Sequence, residues 1–144
     1  MDQKIIDLNN GEREWLNNNL TGIRGLVSSI IGLDDIDCLL PSYLDESYKV
    51  WFASHNRGVD DPNPMINAFG IGFGQYLVDN NNLEWKIVQD EFGTEIAVYR
   101  TPGDILLFPP NLVAKRYEKE EIEFFVPLYN GIKKQIEEIH SNFG

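Results

Sequence analysis

Three glycines in five residues, Gly70, Gly72 and Gly74, lie inside a run that is apolar nearly all round: Met65, Ile66, Ala68, Phe69, Ile71, Phe73, Tyr76, Leu77 and Val78. Apolar residues on every face mark a buried helix. Each glycine in a helix interior costs roughly 0.5–1 kcal/mol against alanine, so three of them require a compensating gain. Gly70 and Gly74 are four apart and share a face, while Gly72 sits on another. The expected gain is close approach: a groove in which a strand or another helix lies at backbone contact distance. Pro64 suits the first turn, where its missing N–H has no intrahelical partner anyway. Asn63 before it is the expected N-cap. Asp79-Asn80-Asn81-Asn82 ends the helix with residues that tolerate left-handed geometry.

The rest of the chain is patterned around that helix. Trp15, Leu16, Leu20, Ile23, Leu26, Val27, Ile30 and Ile31 recur at threes and fours, as in an amphipathic helix. Asn17-Asn18-Asn19, Gly22 and Gly25 weaken it enough to allow two shorter pieces. Tyr48, Val50, Trp51 and Phe52 read as a helix capped by Ser42 or Asp45, although Val50-Trp51-Phe52-Ala53 fits a strand equally. After the glycine run, Leu83, Trp85 and Ile87 alternate with Glu84 and Lys86, the period of a half-buried strand. Asp90-Glu91-Phe92-Gly93 supplies a turn, Thr94–Arg100 the return strand, and Ile105–Phe108 a third. Pro110 opens a further helix, and a last one runs from about Leu128 to Ser141. A chain of 144 residues is one domain by size. The expected fold is α+β: N-terminal helices, a three-stranded antiparallel meander, and C-terminal helices packed on one face.

Phe69-Gly70-Ile71-Gly72-Phe73-Gly74, Leu83-Glu84-Trp85, Asp90-Glu91-Phe92-Gly93, Phe108-Pro109 and Ala114-Lys115-Arg116-Tyr117-Glu118 follow one another in an order and spacing that resembles the bacterial domain-of-unknown-function family 3806. The resembling core spans about residues 65–125. The resemblance implies a compact α+β domain and no agreed chemistry. Its characteristic positions here are Gly70, Gly74, Glu84, Trp85, Lys115 and Arg116.

Composition narrows the partners. Twenty-three acidic and 12 basic residues give a formal charge of −11, which repels nucleic-acid backbones and anionic membranes and favours a basic protein partner. Cys38 is alone, so no disulfide framework or cysteine metal site is expected. No apolar run approaches ~20 residues, the length that spans a bilayer. Met1-Asp2-Gln3-Lys4 does not resemble a signal peptide. The expectation is a soluble, cytoplasmic chain.

Catalytic motifs are thin. Gly70-Ile71-Gly72-Phe73-Gly74 lies within a helix, whereas a phosphate loop must follow a strand and open a helix. Asp34-Asp35-Ile36-Asp37 lacks the glycine and closing glutamate of a calcium loop. His55 and His140 are the only histidines, and Ser54 beside His55 cannot form a nucleophile–base pair with its own neighbour. No cofactor or metal is expected. Lys115-Arg116 could hold an anion, or serve in surface pairs such as Arg116–Glu120 and Lys119–Glu123.

Two classes of function follow. The first is a non-catalytic acidic domain that binds another protein, an immunity-type inhibitor of a basic toxin being one form. Its expected contact is the base-free segment with Asp34, Asp35 and Asp37, anchored by Leu39, Leu40 and Tyr43. Leu39 and Leu40 equally fit a core position. The second is a small enzyme or ligand binder with a cleft near Trp85 and Arg116.

Overall fold

The computed structural model describes residues 3–33, 39–101 and 105–143. In chain order the elements are β1 (Lys4–Ile6), α1 (Asn10–Ile31), α2 (Pro41–Ser54), α3 (Asn63–Asn81), β2 (Glu84–Asp90), β3 (Gly93–Arg100), β4 (Ile105–Leu107), α4 (Pro109–Glu118) and α5 (Phe125–Phe143). The architecture is α+β, with an antiparallel sheet in the order β1-β2-β3-β4. The expected three-strand meander therefore gains a fourth strand, β1, which pairs Ile6 with Ile87. It is short and exposed along its whole length, so no alternation of buried and wet positions announces it. Asp90 faces Gly93 across a two-residue turn, and Gly93 adopts a φ of 132° there, a value glycine reaches at no steric cost.

Helix α3 is buried on nearly every side. An ideal Cβ on Gly70 would lie 2.6 Å from Pro110 Cα and 2.7 Å from Pro110 N, so α4 begins against bare α3 backbone. At Gly74 the neighbours are side chains: a Cβ would stand 2.8 Å from Pro109 Cγ and 2.9 Å from Trp85 Cζ2. The groove is real, with the start of α4 as its occupant at Gly70 and the Trp85 indole at Gly74. That indole N–H donates to Gln75 Oε1 at 2.9 Å. Gly72 faces the other way, toward Ile23 of α1 and Leu39. Asn63 is the first residue of α3 and not its cap, and its amide donates to Asp61.

Helix α1 runs unbroken. Asn9 and Glu12 form a reciprocal capping box at its start, and Gly32 closes it in left-handed geometry. Helix α2 starts at Pro41, so neither Ser42 nor Asp45 caps it. Tyr48, at its centre, is fully buried and touches the rings of Trp51, Phe52, Phe69, Phe124 and Phe125 at centroid distances from 4.9 to 6.0 Å. This aromatic knot joins α2, α3 and the start of α5. Helix α4 lies along α3, and α5 seats against α2 and α3. Among the described residues no helix is long and apolar enough to cross a membrane.

Candidate functional site

The end of α4 shapes the surface beside it. The amide of Glu120 donates to the Tyr117 carbonyl and that of Glu121 to the Arg116 carbonyl, both at 3.0 Å. This nested pair is a Schellman ending, which requires a left-handed residue just past the cap. Glu120 fills that position with φ 57°, a conformation that strains any residue with a Cβ. Arg57 braces the same end: its guanidinium donates to the Tyr117 carbonyl at 2.8 Å and lies 4.6 Å from the Tyr117 ring centre. A cation at helix C-terminal carbonyls completes their hydrogen bonding and offsets the helix dipole.

Helix α2 holds the start of α5. Both oxygens of Asp45 accept backbone amides there, Phe125 at 2.6 Å and Val126 at 3.0 Å. Burial raises the Asp45 carboxyl above its ordinary 3.8, outweighing the two amides that favour its charged form. One turn on, Lys49 meets Glu123 at 2.8 Å and lowers its pKa, by hydrogen bond first and charge second.

Between these two ends lies a cleft of about 590 Å³. Ile122, Phe124, Leu128 and Ile132 give it apolar walls; Arg116, Glu121, Glu123 and Gln135 supply its polar groups. Arg116 is half-buried, and its Nη1 donates to the Leu112 carbonyl at 3.0 Å. The acids expected to pair within this segment look elsewhere: Glu120 faces Arg57 at 3.6 Å, and Glu123 is held by Lys49.

A second concave surface lies at the β2–β3 turn. Two depressions, of about 310 and 200 Å³, share Glu95, Phe108 and Asn111 and so form one groove. Phe92, at the tip of the turn, is 90% exposed, and Trp15 of α1 is 40% exposed at the far end. Asp90 and Glu95 are its acids, and no lysine or arginine is among its lining residues.

His55 is closed to chemistry of its own. Its side chain is 3% exposed, with Asp60 Oδ2 4.0 Å from Nδ1 and the Tyr117 hydroxyl 2.6 Å from Nε2. Trp51 covers it at a ring distance of 4.8 Å. The arrangement ties the loop after α2 to α4. Ser54 donates to the Trp51 carbonyl. Among the described residues no three His, Cys, Asp or Glu side chains gather to hold a metal ion.

Of the residues singled out by sequence, Asp34, Asp35, Asp37 and Cys38 lie outside the described residues, as does the side chain of His140. Leu39 is 3% exposed and belongs to the core, against α1 and α3. Leu40 and Tyr43 are half-buried. Glu84 is exposed and lies 3.5 Å from Lys86. Lys115 is exposed, while Arg116 reaches the cleft. Trp85 does not join it there: it is packed at Gly74 and lines neither the cleft nor the groove. Sequence reasoning passed over Phe92, whose signal was an aromatic residue in a turn that needs none. It also passed over Glu121, and it assigned Asp45 to capping its own helix, whereas Asp45 accepts amides at the start of α5, a contact that no local pattern encodes.

One family profile, described as "Domain of unknown function (DUF3806)", matches residues 53–129, a little over half of the chain. The match extends the resembling core at its N-terminal side to take in His55 and Arg57. No curated protein and no solved structure matches the chain.

Proposed function

Because this chain belongs to the domain-of-unknown-function family DUF3806, whose description assigns no chemistry, we propose a function from its surfaces: a non-catalytic domain that binds a basic protein. The observation that carries this reading is the groove at the β2–β3 turn, where aromatic rings and carboxylates line one surface without a cation among them. Phe92 offers a large, rigid apolar face that water covers at a cost, the kind of residue that dominates binding energy once an interface buries it. Lysine and arginine side chains are the natural complement, since they pair with Asp90 and Glu95 and lie over aromatic faces. The overall charge of −11 would steer such a partner in and hasten association. The closed His55–Tyr117 tie favours binding over catalysis. Asp34, Asp35 and Asp37, which lie outside the described residues, and Leu40 and Tyr43 are further contacts that the sequence offers to such a partner. An immunity-type inhibitor of a basic bacterial toxin, acting in the cytoplasm, is the specific form that suits this chemistry.

The test is site-specific photo-crosslinking from position 91, the exposed neighbour of Phe92 in the turn, in the cells of origin. The expected product is one basic protein, whose capture weakens as salt rises and falls about tenfold or more in Phe92→Ala/Glu95→Gln, the loss expected of an interface anchor. Capture that neither the double variant nor salt alters would overturn the reading.

A further inference from the structure

We propose that the cleft between the α4 ending and α5 binds a free apolar α-amino acid, its carboxylate on Arg116, its ammonium on Glu121 and its side chain against Ile122, Leu128 and Ile132. This site is separate from the hairpin groove and does not depend on it.

The charges are the first ground. Of Arg116, Glu120, Glu121 and Glu123 at this end of α4, two have found partners: Glu120 faces Arg57 at 3.6 Å and Glu123 holds Lys49 at 2.8 Å. Arg116 and Glu121 line the cleft, and among the described residues neither belongs to an ion pair. One backbone motif positions both, because the Glu121 amide is bonded to the Arg116 carbonyl at 3.0 Å. The guanidinium is further oriented by its bond to the Leu112 carbonyl, which neutralises nothing. An oriented cation and a carboxylate without an ion-pair partner, lining one cleft, match a zwitterion. Such a ligand is neutral overall, so the charge of −11 does not repel it as it would a simple anion.

Gly131 is the second ground. It lies inside α5 and lines the cleft, yet a Cβ added there would meet nothing within 4 Å. No packing within the chain requires a glycine at this point, and glycine in a helix is costly. Its absent side chain leaves depth in the cleft. Gly22 and Gly25 of α1 have similar space but line none of the clefts described. The volume of about 590 Å³ falls within the range of small-molecule sites, roughly 300–1,000 Å³, and the apolar walls favour an aliphatic or aromatic side chain.

The experiment is an amide NMR titration of the whole chain with L-leucine, L-isoleucine and L-phenylalanine. At least one should shift the amides of Glu121, Gly131 and Ile132 in a saturable way. Acetylating the amino group or amidating the carboxyl group of that ligand should each weaken binding tenfold or more. Glu121→Gln should weaken the parent amino acid while leaving its N-acetyl form unchanged, and Arg116→Gln should do the same with respect to the amide. Gly131→Leu should block binding with the spectrum otherwise native, which separates occlusion from unfolding. If none of the three amino acids shifts those amides, or if both capped forms bind as tightly as the parent, the proposal fails. Neither result touches the hairpin groove, which crosslinking from the β2–β3 turn reports separately.

Discussion

Gly70 and Gly131 are both helical glycines, and they should answer the same substitution with opposite signs. In Gly70→Ala the new Cβ meets the Pro110 backbone at 2.6 Å, which no rotamer change relieves. Overpacking of this kind costs typically about 1–3 kcal/mol, more than the roughly 0.5–1 kcal/mol that alanine gains in a helix. Gly131→Ala has open space and should gain that amount outright. Urea denaturation of the two variants, with unchanged slopes, checks both signs. Tyr48 poses a different residue-scale question. Its hydroxyl is buried and has no hydrogen-bond partner among the described residues, and burial pushes its ionisation far above the ordinary 10. Tyr48→Phe should therefore match wild type or exceed it by up to about 1 kcal/mol, since an unpaired buried polar group is a penalty removed. A loss larger than that would show that the hydroxyl is bonded after all.

At the scale of elements, the sensitive joint is between α2 and α5. Asp45→Ala leaves two amides at the start of α5 without their acceptor and should cost about 1 kcal/mol, as lost N-caps do. Asp45→Asn keeps one acceptor oxygen and should cost less. The carboxyls here also titrate in opposite senses. Asp45 is raised in the folded state, so the fold binds its proton more readily than the unfolded chain, and its contribution declines as pH rises through the window above 3.8. Asp7, lowered by its hydrogen bond to Lys86, and Glu123, lowered by Lys49, contribute at pH values above their ordinary 3.8 and 4.5 and lose that contribution as pH falls below them. Carboxyl-carbon NMR should find Asp45 above its ordinary value and the other two below, with Glu123 moving back up in Lys49→Ala. What was legible in the sequence follows the same division. The glycine pattern disclosed α3, and alternation with a tight turn disclosed β2 and β3, because these signals are local. The start of α1 is written in the Asn9–Glu12 spacing, a signal that sequence reasoning passed over, and the break allowed at Asn17-Asn18-Asn19, Gly22 and Gly25 does not occur. The capping role of Asp45 was not legible, because it depends on a residue far along the chain. Arg116 stood out as a cation, but its companion Glu121 meets it only through the geometry of a helix ending.

For the molecule as a whole, the formal charge of −11 is set against a few ion pairs, such as Lys49–Glu123 and Arg57–Glu120, that are largely exposed and hence weak. Self-repulsion should outweigh them. The thermal midpoint is expected to rise between about 0.01 and 0.15 M salt, as the screening length falls from roughly 30 to 8 Å; a falling midpoint would mean that the attractive pairs dominate. The long reach of Asp45 has a further consequence, for synthesis on the ribosome. Its partner amides lie 80 residues downstream, so at about 5–20 residues per second helix α2 waits roughly 4–16 s for the segment it must hold. During that interval Tyr48 and Phe69 lack Phe124 and Phe125, the rings that later cover them. A nascent chain arrested before α5 emerges would thus display an aromatic surface and become a client of chaperones, and only release of the last helix from the exit tunnel would end that dependence.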